Sequence, residues 1–327
     1  MYIHQLNGWP VFTWNDKQLS HRLSQIRYGQ GKILGQMNMV GFTLKEETIL
    51  QTLTLDITKS SEIEGDMLDP ELVRSSVAKH LGIDIGGLAP TNRHIEGVVE
   101  MMLDATQKYN EPLSKDRLYS WQSALFPTGR SGLSKINVGQ WRDGKKGLMQ
   151  VVSGAAGKEK IHFEAPPALV VDEEIARFLT WFESNQQLDP VLKAAIAHLW
   201  FVTIHPFEDG NGRITRAITD MQLARADGTG QRFYSMSAQI QKERNAYYNA
   251  LEVAQKGTLD ITNWLVWFLD CLNRAMNSTD SILAKINTKA RFWDAHRHTV
   301  LNMRQQKCWK QRLMTFMVNL TYQNGPK

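Results

Sequence analysis

Cysteine is nearly absent from this chain: Cys271 and Cys308 are the two found in 327 residues. That excludes a disulfide framework and a thiolate metal site, and it points to a reducing compartment, with the cytoplasm as the default. The opening stretch from Met1 to Pro10 lacks the basic start and apolar run of a signal peptide, and nowhere do eighteen apolar residues follow one another. Neither a leader nor a membrane span is therefore expected. Repeats of fixed period and low-complexity tracts are missing too. What remains is 42% hydrophobic and 22% charged, an ordinary globular composition whose length suggests about two domains.

Strand signals are as scarce as cysteine. Gly147 to Val152 and Ile161 to Phe163 are β-prone runs around a Gly- and Ala-rich turn from Ser153 to Lys160, which reads as one short hairpin. Everything else reads as helix. Thr43 to Glu46 has the capping-box pattern, and Ile49, Leu50, Leu53 and Ile57 recur behind it at helical spacing up to a stop at Gly65. Asp69-Pro70 is an N-cap with a first-turn proline, and 82–90 is a loop. Further helices are expected over 93–109, 113–125, 171–184, 190–203, 212–226, 242–255 and 261–289. The expected fold is all-α with one small hairpin.

One stretch concentrates the chemistry. The apolar helix begun by Asp189-Pro190 must end at His205-Pro206, because a residue before proline is steered out of the α region. The loop that follows holds Glu208, Asp209, Gly210 and Asn211, and a new helix starts at Gly212 with Ile214, Ala217, Ile218 and Met221 on one face. Glycines at a helix N-terminus let backbone N–H groups approach phosphate oxygens, with the positive end of the helix dipole at the same place. Arg213 and Arg216, three residues apart, share another face and can give forked hydrogen bonds to phosphate. Asp209 in such a cationic cradle makes sense if Mg²⁺ bridges its carboxylate to the phosphates. His205, at the rigid end of a buried helix, suits a general base for an incoming hydroxyl.

The run His205-Pro206-Phe207-Glu208-Asp209-Gly210-Asn211-Gly212-Arg213-Ile214-Thr215-Arg216 resembles the full Fic family motif, His-x-Phe-x-Asp/Glu-Gly-Asn-Gly-Arg-x-x-Arg, without gap or substitution. The resemblance extends over roughly 69–270, and Tyr2 to Pro10 is similar to the N-terminal region of larger bacterial Fic proteins. It implies a Fic-type helical core with a hairpin flap, and a protein adenylyltransferase. In that family the histidine deprotonates a Ser, Thr or Tyr hydroxyl of a target protein, which attacks the α-phosphate of ATP and releases pyrophosphate. The resemblance assigns this role to His205, magnesium to Asp209, an anion hole to Gly210, Asn211 and Gly212, and the outer phosphates to Arg213 and Arg216. Phe207 anchors the loop. Met149, Gln150, Val151 and Val152 look like the flap that holds the target segment, and Tyr247 and Tyr248 fit the adenosine-contacting pattern, with Gln255 where an asparagine is common.

Ser60, Glu64 and Gly65 match the family's inhibitory pattern Ser/Thr-x-x-x-Glu-Gly/Asn. Ser60 and Glu64 are one helical turn apart and share a face; the resemblance makes Glu64 the inhibitory acid, with Arg216 as its partner. The implied organisation is an N-terminal helical region 1–68 with the inhibitory motif, a catalytic core 69–275, and a basic extension 276–327. Between Ala284 and Arg312 eight Lys or Arg face one acid, Asp294. That segment is a solvated helical face or, alternatively, a nucleic-acid contact. Related phosphoryl transfer and removal of AMP from modified targets are alternatives within the family. Candidate partners are ATP, a target protein, the chain itself as a target of modification, and a second copy in a homodimer. His198, Trp264 and Trp267 read as core, and His296 and His298, pointing apart on a helix, do not read as a metal pair.

Overall fold

The computed structural model describes residues 1–39, 42–154, 160–185 and 187–295, with side chains everywhere among them except at 39, 42, 43 and 280–295. Eleven α-helices and two two-stranded antiparallel sheets make up the regular structure of these residues, besides short 3₁₀ turns. The all-α expectation holds, with one hairpin more than expected. Among the described residues no helix is long and apolar enough to cross a membrane.

At the centre lie α7 (Pro190–Ile204) and α8 (Asn211–Asp227). Asp189 caps α7 by accepting from the Val191 N–H at 2.8 Å, Pro190 opens it, and every residue from Val191 to Ile204 except Lys193 is buried. A helix apolar on all sides has to be enclosed, because each buried Leu, Ile or Phe contributes roughly 1.5–3 kcal/mol relative to exposure. The enclosing layer is α4 (Arg93–Gln107), α5 (Lys115–Leu125), α6 (Val171–Glu183), α10 (Arg244–Gln255) and α11 (Thr262–Ala295), with α2 (Phe42–Ile63) crossing the start of α8. Between α2 and α4, α3 (Pro70–Leu81) starts where expected: Asp69 accepts from the Glu71 N–H at 2.8 Å, and Gly82, at φ 68°, ends it.

Three expectations need correction. The Thr43 capping box does not start α2, which is already helical at Phe42. The helix expected over 242–255 is α10, but α9 (Met236–Lys242), capped by Ser235 and parted from α10 at Glu243, precedes it where no helix was expected. A 24-residue helix, α1 (Asp16–Met39), packs on α11 where no helix was expected. Its buried residues Leu19, Ile26, Ile33 and Met37 do recur at helical spacing, but Gly29, Gly31 and Gly35 interrupt the pattern, and glycine is a poor helix former. α11 runs unbroken past residue 276. The side chains of the basic stretch from Lys285 to Arg312, and with them His296, His298 and Cys308, lie outside the described residues. Cys271 is buried, and burial pushes its thiol well above the usual range.

Candidate active site

His205 closes α7 in the left-handed region (φ 51°), where no other non-glycine residue stands among the described ones. Its N–H bonds to Phe201 O at 3.1 Å, and Pro206 forbids another helical turn. Such a backbone costs on the order of 1–3 kcal/mol and persists where the surroundings impose it. Phe207, fully buried, packs against Trp141 with ring centroids 4.9 Å apart. Asn211 braces the loop from within: its Oδ1 accepts from Phe207 N–H at 2.9 Å and its Nδ2 donates to Phe207 O at 2.8 Å. The Asn211 side chain is thereby committed to the loop, so its share in an anion cradle is its backbone.

The His205 imidazole rests on Val202 O through Nδ1 at 3.2 Å, which assigns the proton to Nδ1 and leaves Nε2 as the open lone pair. Burial lowers its pKa to about 4; the Val202 carbonyl, Glu64 and Asp209 push it up and Arg142 pushes it down. The ring is neutral at physiological pH, the form a base requires.

At the start of α8, Gly210 takes φ 88°, and a Cβ there would stand 2.9 Å from the Phe126 ring. No side chain caps the first turn. Arg213 and Arg216 are both buried, and Arg213 Nε and Arg216 Nη1 make no aligned hydrogen bond. Asp209 faces the loop from the other side, with Oδ1 on the Gly210 N–H at 2.6 Å and Oδ2 accepting from the Ser131 hydroxyl. Ser131 belongs to the unexpected hairpin, β1 (Arg130–Ser131) with β2 (Ser134–Lys135). An open cleft of about 730 Å³ runs from Ser131 and Asp209 past Arg142 and Lys146 to Val152.

The end of α2 lies on this cradle. Glu64 Oε1 stands 2.9 Å from Arg216 Nη1 and so close over Gly212 that a Cβ there would be 2.0 Å away. Ser60 holds the same guanidinium, its Oγ accepting from Nε at 2.8 Å and its carbonyl from Nη2 at 2.7 Å. Burial alone would lower the Arg216 pKa; Glu64 beside it, together with Tyr247 and Tyr248, offsets that and the net shift is upward. Gly65 ends the helix at φ 84°, a conformation that favours glycine, and α10 fastens the terminus through Arg244 Nε to Ile63 O at 3.0 Å. Just beyond, Asp66 Oδ2 meets Arg213 Nη1 at 3.2 Å and His94 Nε2 at 2.9 Å. The His94 hydrogen bond, working against burial, holds the Asp66 carboxyl below its usual range.

The expected flap is β3 (Gln150–Ser153) paired with β4 (Lys160–Glu164); Met149 stands just before β3, its carbonyl bonded to the Ala165 N–H at 2.9 Å. The pairing slips between Val151 and Val152, leaving His162 as the extra residue, which reaches Ser153 at 2.6 Å and Glu252 of α10 at 2.7 Å. Tyr247 and Tyr248 lie on α10. Tyr247 is buried with its hydroxyl on His198 Nε2 at 2.9 Å, and Tyr248 carries the Arg244 guanidinium over its ring at 5.2 Å. Gln255 is buried, donating to Thr203 at 3.3 Å. Thus Ser60, Glu64, Gly65, His205, Asp209 to Gly212, Arg213 and Arg216 converge.

Sequence reading missed Asp66, Ser131, Arg142 and the polar role of His198, whose Nδ1 also meets Thr219 at 2.9 Å. Asp66, two residues after Glu64, carried a faint signal; the others carried none.

Comparison with known proteins bears on the family and the fold. A family model described as the Fic/DOC family matches residues 112–223, and one described as a domain of unknown function, DUF4172, matches residues 2–83. A protein adenylyltransferase Fic from Culex quinquefasciatus is 35% identical over 105 residues, 32% of this chain and 19% of that protein. Its counterpart from Drosophila yakuba is 36% identical over 103 residues, 31% of this chain and 19% of that one. The matched region therefore spans about a fifth of the length of these relatives. Among solved structures, a Fic family protein from Desulfovibrio desulfuricans superposes with a TM-score of 0.60 at 24% identity, covering 84% of this chain and 77% of that one. A Fic domain-containing signaling protein from Bacteroides thetaiotaomicron gives 0.55 at 17% identity, covering 82% and 98%. At these identities the two structures show the shared fold.

Proposed function

We propose, from the match of residues 112–223 to the Fic/DOC family, that this chain transfers the AMP moiety of ATP to a hydroxyl side chain of another protein and that Glu64 restrains it. The observation that carries the reading is Glu64 itself. A carboxylate seated over Gly212 and against Arg216 marks an anion site at a helix N-terminus. A triphosphate on the same donors would exchange one anion for a larger one, and Arg213 Nε still has an N–H to give.

Asp209 offers hard carboxylate oxygens beside that cradle and would hold Mg²⁺, which offsets charge on the phosphates. His205 Nε2 takes the proton of the target hydroxyl. The freed oxygen attacks the α-phosphorus, a new P–O bond forms, and the bond to pyrophosphate breaks. β3 pairs with β4 on one side, and along its other edge a target segment would add as a strand. With Glu64 on Arg216, ATP could enter without aligning its α-phosphate, and a misplacement of about 1 Å costs on the order of 10²-fold in rate.

The test supplies the Glu64→Gly chain and whole-cell protein with ATP labelled at the α or the γ position. Label arriving on protein from the α position alone is expected. Label from the γ position would mean phosphoryl transfer, and loss of AMP from pre-modified protein without its addition would mean the reverse reaction.

A further inference from the structure

Arg142 is 5% exposed and forms no ion pair among the described residues. Its guanidinium donates to carbonyls only: Nε to His205 O at 2.8 Å, and Nη2 to Ile204 O at 3.3 Å and to Pro166 O. Its backbone N–H adds a fourth link, to Pro206 O at 3.0 Å. Burial lowers its pKa to about 10, which leaves it charged at neutral pH.

These carbonyls belong to two places. Ile204 and His205 end α7, where the last carbonyls lack N–H partners from their own helix and the dipole is negative, so a cation is favoured there. Pro166 lies two residues past β4, at the root of the flap. A lysine could not serve all three, having one compact ammonium where arginine has a planar fork. We propose that Arg142 is a positioning residue: it locks His205 into its left-handed backbone and ties that loop to the flap, so that the imidazole and the hydroxyl presented by the flap meet. The proposal rests on His205 being the base.

The charged groups facing His205 are Arg142 before β3, Glu64 from α2 and Asp209 from the motif loop. Arg142 disfavours the imidazolium and the two acids favour it. Removing the guanidinium therefore raises the imidazole pKa twice over, by deleting a positive charge and by admitting water to the α7 terminus.

The experiment uses the full chain with ¹⁵N-labelled histidine, the His205 signals being assigned from the spectrum of His205→Asn. In the otherwise unaltered protein, His205 is expected as the Nδ1–H tautomer down to about pH 4. Arg142→Met should raise its midpoint by about one pH unit or more and weaken the tautomer preference. Arg142→Lys, made in the Glu64→Gly chain, should keep the midpoint low but lower kcat roughly 10²-fold at an unchanged KM for ATP, since the loop is charged but no longer held. An unchanged midpoint and tautomer in folded Arg142→Met overturns the proposal. So does a kcat unchanged by Arg142→Lys, which carries the test if the Met variant does not fold. The titration needs no turnover, so a shifted His205 in a chain that moves no AMP would strike the transferase reading and leave Arg142 in its place.

Discussion

Burial lowers the His205 pKa to about 4, so the ring stays neutral well below physiological pH. Glu64 is one of the groups that push this pKa up, so the acid limb of kcat in the Glu64→Gly chain should fall at or below about pH 4; a limb at the ordinary histidine value of about 6.5 would contradict that environment. His205→Ala should lower transfer roughly 10²–10⁴-fold while ATP affinity, read by calorimetry, stays within a few-fold, because in the proposed reaction the imidazole serves the hydroxyl rather than the cradle. Asp209 gives an independent check on the same reading. Asp209→Asn should weaken the magnesium dependence of transfer, and equal rates with magnesium and with excess chelator would refute the metal role.

The end of α2 acts as one piece because Gly65 turns it sharply and Arg244 pins it to α10. Two carboxylates of that piece hold both arginines of α8, Glu64 on Arg216 and Asp66 on Arg213. Glu64→Gly should therefore increase self-modification and ATP affinity, and adding Arg216→Ala should abolish the gain. Asp66→Asn in the Glu64→Gly background should tighten ATP by a further two- to fivefold or so, the size of a partly exposed ion pair. Calorimetry with a non-hydrolysable ATP analogue decides it; an unchanged affinity would mean that Arg213 parts from Asp66 without cost. The Ser60 and Glu64 spacing was readable from sequence because helical geometry relates residues four apart. Asp66 was not, since nothing local says that a carboxylate two residues past the helix finds an arginine 147 positions away.

Across the whole molecule, His4 and His205 are lowered to about 4 and His198 to about 3, in each case mainly by burial. The unfolded chain binds protons at these sites from about pH 6.5 downward and the folded chain does not, so stability is complete above that pH and falls as pH drops toward 4. His198 alone should account for about 2 kcal/mol between pH 7 and pH 5. Urea unfolding at the two pH values checks this, and equal midpoints would count against it. The same burial shows where sequence reading ends. The stretch from His205 to Arg216, the caps at Asp69 and Asp189, and the run of apolar residues in α7 are local patterns, set by the geometry of a few consecutive residues, and they were determined by the sequence alone. α1 was not, because its glycines dilute the pattern and its packing on α11 restores it. That Glu64 covers Gly212, that Asp66 takes Arg213, and that Arg142 reaches His205 from 63 residues away were decided by the tertiary structure. Each depends on burying apolar faces that close long loops, and only the assembled core brings such distant polar groups to one point.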